Sequence, residues 1–570
     1  MTGRGTDLTD RRASWRVVWH MMGVRKGAFW GGGVLWWLFL LAPLAVGLLL
    51  ERLFDALGDG GPALLLLAAV AGVEVGRALI LPLVGWVFEP YWVTTETVLR
   101  TNVLRAQLHP DPAERGPAVP DAAAAMPLFR DDPEHVARAG DMWLTLVAIG
   151  VIAVGALAVI ARIDPMVAVV VAVPLVLACA GGHLLAPMVR RRRAVEREIT
   201  GDVTGYLGEV FGAVTTVTTS GAAPALLRRL EQLGERRRVA AVRSRVATQL
   251  LPAVGATAGD LALAGGLLAA ALLMGSDLGA GQIALLAAYA QLLAGVPRNW
   301  ASWLAIRRHA DVAVERLRGA VADGEVERLI APIAPVEFVP PRVTRQPLLA
   351  APSAPRLELV GVVTQAPDGR RLGPFDLTVP AGGFAVVTGR VGTGKTTLVR
   401  AVLGLAPLLE GEIRWDGEVV DASRWMTPPR AAYVAQVPTL FSEALDANLR
   451  LGWDVDDAHL QRALDAVAAR ELVAGLEDGL DTRLGPRGIR LSGGQAHRVA
   501  AARALVAGSA LVVADDLSAA LDAPTETALL GRLLADRART MLVVSHRPAV
   551  LERADVVLSM DRTTSEVTAG

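Results

Sequence analysis

The stretch GRVGTGKTT, residues 389–397, follows the apolar run FAVVTG and opens into TLVRAVLGL. It fits the pattern G-x-x-x-x-G-K-[ST], with Gly389, Gly394, Lys395 and Thr396 in the fixed positions. A strand, a glycine-rich turn and a helix start form the setting in which this pattern holds phosphate. Glycines let backbone N–H groups turn inward at a helix N-terminus, where the helix dipole favours an anion. Lys395 then reaches the outer phosphates of ATP, the Thr396 hydroxyl ligates Mg2+, and Gly392 and Thr397 complete the cradle. Lys395 is one of only two lysines, with Lys26, among 57 basic residues. An arginine fork cannot stand in for a compact ammonium at such a position.

Strand-like and helical patterns alternate on both sides of this turn, which predicts a soluble α/β nucleotide-binding domain over residues 356–570. The chain ahead of it reads differently. Of all residues, 52% are apolar, and six runs are long enough for a bilayer span, which needs about 20 apolar residues. They cover about 29–50, 62–88, 142–161, 165–189, 247–274 and 279–306, within a helical membrane domain over 29–322. Arginines crowd the N-terminus and the segments 89–141 and 190–246, including RRRR at 190–193. The positive-inside rule places both termini and both long segments in the cytoplasm. Several tryptophans near the span ends are candidates for interfacial belts. Residues 1–28 are read as a cytosolic N-terminus whose Trp15, Val18, Trp19 and Met22 share a helix face that lies on the inner leaflet. No cleavable leader is evident there. Residues 323–355 are a linker, since seven prolines between 330 and 355 oppose regular helix. The formal net charge of zero gives no support for a nucleic-acid partner, and a single cysteine, Cys179, allows no disulfide within the chain.

Four further motifs follow the phosphate loop in order. They are YVAQVPTLF with Gln436, LSGGQ at 491–495, LVVADDLSAALD at 511–522, and VVSHR with His546. In this combination the chain, over roughly residues 14–560, resembles the ATP-binding cassette superfamily, specifically exporter-type half-transporters with six spans fused ahead of one cassette. The resemblance implies a role for each motif. Gln436 touches Mg2+ and senses the membrane domain. Asp515 is the Mg2+ ligand, and Asp516 holds the position of the catalytic base. Asp522 lies in the D-loop, and His546 contacts the γ-phosphate. Ser492, Gly493, Gly494 and Gln495 bind the ATP held by a second chain, so that two cassettes enclose two nucleotides. Short coupling helices are expected at 121–129 and 220–230.

Three positions depart from that pattern. Asp516 is one methylene shorter than the usual glutamate, and a displacement near 1 Å can cost about a hundredfold in rate. Ala366, within residues 363–367, stands where an aromatic usually stacks on adenine. Pro486 replaces a glutamate near the signature motif. The first two fall on this chain's own ATP site, while LSGGQ is intact. The expectation is therefore a heterodimer in which this site is slow; the rival is a homodimer in which Asp516 suffices as a base. Export of an amphipathic or hydrophobic substrate across a bacterial cytoplasmic membrane is the function implied. The alternatives are an importer of the same architecture, for instance of a metal chelate, and a nucleotide-binding membrane regulator. Within the spans, Glu74, Arg77, Asp260, Gln282 and Gln291 are candidates for a substrate path. Mutual neutralisation of Glu74 and Arg77 is the structural reading of that pair.

Overall fold

A computed structural model describes residues 8–109, 114–119, 122–274, 279–333, 346–347, 352–485, 491–516, 523–535, 537–560 and 565–569. The described residues divide into two compact units, one running up to residue 333 and one from residue 346 onward.

The first unit is helical. Its elements are α1 (Leu8–Val24), α2 (Lys26–Asp59), α3 (Ala63–Gln107), α4 (Ala122–Phe129), α5 (Asp131–Ile163), α6 (Pro165–Gly212), α7 (Val214–Ser220), α8 (Ala223–Met274), α9 (Ala280–Leu293), α10 (Val296–Gly319) and α11 (Val326–Leu329). Six stretches among them are long and apolar enough to cross a membrane, α9 and α10 together forming the last. Most run well past membrane length: α8 has 52 residues, or about 78 Å at 1.5 Å per residue. The arginine-rich segment 190–193 simply continues α6, because nothing in RRRR opposes helix. The short helix α4 lies in the segment expected to hold the first coupling helix. The second short helix, α7, falls at Val214–Ser220, ahead of the expected 220–230, because Gly221 takes a left-handed conformation and ends it there.

Two apolar clusters hold this unit. One gathers Val17, Met21, Phe29, Tyr91 and Leu317 from α1, α2, α3 and α10. The other joins Ile160, Val171, Leu285 and Tyr289 from α5, α6 and α9. The first cluster corrects the reading of α1. Val18 and Met22 are buried in the bundle, while Trp19 is 62% exposed; packing of long-range neighbours, absent from a local pattern, chose the face. The bundle also claims several tryptophans. Trp36 donates to Thr145 Oγ1 and Trp37 to the Leu144 carbonyl, both at 2.9 Å. The start of the expected linker is likewise packed: Asn102 Nδ2 donates to the carbonyls of Leu329 at 2.8 Å and Ala331 at 2.9 Å. Residues 334–345 lie outside the described residues.

The second unit is α/β. Its strands are β1 (Gln346–Pro347), β2 (Leu357–Gln365), β3 (Arg371–Val379), β4 (Phe384–Gly389), β5 (Leu408–Trp415), β6 (Glu418–Val419), β7 (Ala431–Val434), β8 (Trp453–Asp454), β9 (Leu511–Asp515), β10 (Thr540–Val544), β11 (Val556–Met560) and β12 (Ser565–Ala569). The main sheet has the order β12-β11-β4-β10-β9-β7 and is parallel except at β12. Its central strands are apolar on both faces, as a sheet covered on both sides requires. One face packs on the antiparallel sheet β3-β2-β5-β6 through Leu359, Val387, Ile413 and Leu542. The helices α12 (Lys395–Val402) and α13 (Ala422–Trp425) join that same cluster through Leu398, Val399 and Ala422. The other face meets α14 (Leu445–Arg450), α15 (Asp457–Ala466), α16 (Arg470–Ala474), α17 (Gly493–Val506), α18 (Ala523–Ala535) and α19 (Pro548–Leu551) through Val386, Leu449, Leu464 and Val499.

Candidate nucleotide site

The site residues gather at the carboxyl ends of neighbouring parallel strands. This is where an open α/β sheet presents its loops to a ligand. The phosphate loop leaves β4, Asp515 ends β9 with Asp516 just after it, and His546 follows β10. Strand register locks these ends level: Val544 pairs with Val387 on one side and with Asp515 on the other. The N–H of Ser545 then donates to the Val387 carbonyl at 3.1 Å. Gln436 comes two residues after β7, the next strand along.

The loop itself needs glycine at Gly389 for two reasons. Its φ is +144°, and a Cβ there would lie 2.2 Å from the Met560 carbonyl oxygen. Lys395 folds back over the turn and donates from Nζ to the carbonyls of Gly389 and Arg390, each at 2.8 Å. Desolvation holds its ammonium below the usual lysine range, and the nearby charges of Asp515 and Asp516 oppose that shift. The Thr396 side chain hydrogen-bonds Asp515. Asp515 is buried, and burial raises its carboxyl above the usual range despite Thr396, Arg400 and Lys395. Its Oδ2, and Oδ1 of Asp516, are buried without a hydrogen-bond partner. Orphaned carboxylate oxygens beside a threonine hydroxyl are a donor set suited to a hard divalent cation. Thr396 and Asp515 would therefore hold Mg2+, which would neutralise charge on the bound phosphates. His546 and the Gln436 side chain are exposed at the same edge of the sheet.

Ser492 caps α17. Its hydroxyl accepts from the Gln495 N–H at 3.3 Å, while the Gln495 side chain accepts from the Ser492 N–H at 2.8 Å. This reciprocal pair leaves Gly493 and Gly494 at the mouth of the helix, their N–H groups directed outward from the first turn.

Residues 372–519 match the family described as ABC transporter. This segment is an ABC transporter domain. Among curated relatives, the Rhizobium meliloti (strain 1021) type I secretion system ATP-binding protein PrsD is 36% identical over 214 residues, 36% of each chain. The ATP-dependent lipid A-core flippase of Ralstonia nicotianae is 36% identical over 202 residues, 34% of each chain. These alignments thus span about a third of each relative's own length. A solved structure of a bacterial Atm1-family ABC exporter with ATP bound is 21% identical, with a TM-score of 0.71, and covers 95% of this chain and 94% of that one. The chain therefore shares the fold of that structure, with six candidate membrane helices ahead of the ABC transporter domain.

In the second unit, Ala366 is buried in the turn between β2 and β3, its N–H donating to the Arg370 carbonyl at 2.9 Å. Asp522 and Pro486 lie outside the described residues. Motif reading passed over His497, a buried polar residue on the alanine-rich face of α17, whose ring meets the carbonyl of Gln436. A polar side chain at an otherwise apolar helical position was the available signal. In the first unit, Glu74 and Arg77 pair with each other at 3.1 Å, and the Arg77 guanidinium sits over the Phe39 ring at 4.7 Å. Gln282 caps the start of α9 by accepting from the Gly279 N–H at 3.1 Å. Asp260 is exposed on α8.

Proposed function

We propose that this chain is one half of an ATP-driven exporter in a bacterial cytoplasmic membrane, with its termini in the cytosol. Its turnover of Mg-ATP switches the helical bundle between inward- and outward-facing states. One observation carries the reading: Lys395, Thr396, Asp515, Asp516 and His546 converge on one sheet edge in a chain that also bears six membrane-length helices. Lys395 and the loop amides bind phosphate, Gln436 completes the Mg2+ shell, Asp516 orients the attacking water, and His546 meets the γ-phosphate. A lipid-like or otherwise amphipathic cargo fits the apolar bundle and accords with the lipid A-core flippases among the relatives.

The sheet order supports a second chain. The β7 strand, on which α17 packs, lies three positions from β4, or about 14 Å at the usual strand spacing. One nucleotide on this chain's phosphate loop is thus better served by the Ser492–Gln495 turn of another cassette. A different partner, supplying a glutamate, is favoured over a second copy by Asp516 and by the missing aromatic at Ala366. D-loop contact through Asp522 belongs to the same interface.

The test is reconstitution of the assembly purified from its host into lipid vesicles, with ATPase and flux measured together. Mg-ATP-dependent flux of an amphiphile, lost on Lys395→Ala, is the expected result. Retained nucleotide with neither turnover nor flux would instead identify a nucleotide-binding regulator, and flux inward would identify an importer.

A further inference from the structure

The signature helix α17 and the Gln436 turn are fastened together at two points. His497, 7% exposed, sets its two ring nitrogens against two carbonyls. Nδ1 lies 2.9 Å from the Gly493 oxygen and Nε2 lies 2.8 Å from the Gln436 oxygen. Gly493 is four residues back on the same helix, so its carbonyl also receives the helical amide of His497. The Nε2 contact is the one that reaches another segment. Further along α17, Arg503 donates to the carbonyls of Thr439 at 3.0 Å and Asn448 at 2.9 Å. Asn448 completes the grip by accepting the Phe441 N–H at 2.8 Å and donating to the Phe441 carbonyl at 3.0 Å. The backbone of residues 436–441 is therefore held near both ends by one helix. The His497 ring is buried, so its nitrogen is costly to leave without a partner.

We propose that His497 is a positioning residue: its ring ties the main chain at Gln436 to the first turn of the signature helix. The Mg2+-facing turn of this chain's own site and the phosphate turn it offers a second chain then move as one piece. The ring touches neither nucleotide nor metal; it acts through Gln436 and Gly493. Two-site timing follows, since displacement of Gln436 at one nucleotide is transmitted to the Ser492–Gln495 turn at the other. The proposal rests on the ATP-hydrolysing reading above and deepens it.

The test uses the full-length assembly with His497→Phe, which keeps ring volume and removes both nitrogens, and His497→Gln, which keeps a donor. Steady-state ATPase and hydrogen exchange of residues 436–441 are read on each. His497→Phe is expected to lower kcat by about tenfold, the size of one lost buried hydrogen bond, with KM for Mg-ATP shifted less than about twofold. Exchange at 436–441 should rise, and His497→Gln should recover part of both effects. In a Gln436→Ala background, His497→Phe should add nothing further to the loss in kcat. Losses that multiply in the two backgrounds, or unchanged exchange at 436–441, would reduce His497 to packing and overturn the proposal. If His497→Phe fails to fold, the same two readouts on His497→Gln decide. If the unaltered assembly shows no ATPase, the export reading fails while the exchange comparison still decides the tie.

Discussion

The backbone N–H of Asp516 donates to the Val544 carbonyl at 3.0 Å, and Asp516 sits there with φ at +56°. Left-handed backbone is tolerated by aspartate and asparagine better than by longer side chains. The acid is thus held at the lip of the sheet by its main chain, and Asp516→Asn should fold normally. If this site is the slow one, ATPase of the two-chain assembly will change less than about threefold on Asp516→Asn. A loss of about a hundredfold, typical of removing a general base, would make Asp516 the working base and the slow-site reading untenable.

Lys395 folds over the turn by donating to the carbonyls of Gly389 and Arg390. Lys395→Ala should weaken binding of a fluorescent ATP analogue by at least about tenfold, since hydrogen bonds to charged groups are worth about 1.5–3 kcal/mol. Lys395→Arg should not restore it, because a planar fork cannot occupy the same turn. Equal affinity of wild type and Lys395→Arg would refute the compact-ammonium argument.

Asp515 carries a pH signature. Burial raises its carboxyl above the ordinary value of 3.8, so the folded chain holds that proton more tightly than the unfolded one. Stability without nucleotide should therefore decline as pH rises from 3.8 through the raised value, and the full penalty remains above it. Asp515→Asn keeps the shape and removes the ionisation. Its melting temperature should match or exceed wild type at pH 7 and converge with it near pH 4, while Mg2+-dependent ATP binding falls. Parallel melting profiles across that range would count against a desolvated carboxylate.

Gly47 on α2 faces Tyr289, whose hydroxyl donates to the Leu44 carbonyl at 2.6 Å. A Cβ at Gly47 would stand 2.1 Å from Tyr289 Cε1. Gly47→Ala should destabilise the detergent-solubilised protein by about 1–3 kcal/mol through overpacking. Adding Tyr289→Ala should make the alanine at 47 nearly neutral, since the clash is then gone. An undiminished cost in the double variant would place the strain elsewhere.

The fold class was legible because its signals are local. Apolar runs of membrane length need no partner to be recognised, and the phosphate loop carries its strand, glycines and helix start within a few residues. The spacing of LSGGQ and the acid pair added order to that reading. Where contacts are distant in sequence, local pattern misled: α1 turned Val18 and Met22 into the bundle, and residues 326–331 docked on Asn102.

By itself the sequence determined a six-helix apolar unit followed by an α/β cassette with phosphate-binding chemistry. Periodicity and glycine spacing are properties of neighbouring residues. Only the tertiary structure decided that Asp516 adopts a left-handed backbone against Val544, that Asp515 is desolvated, and that His497 joins α17 to Gln436. Each depends on strands and helices far apart in the chain being brought to one sheet edge, and no local pattern encodes that register.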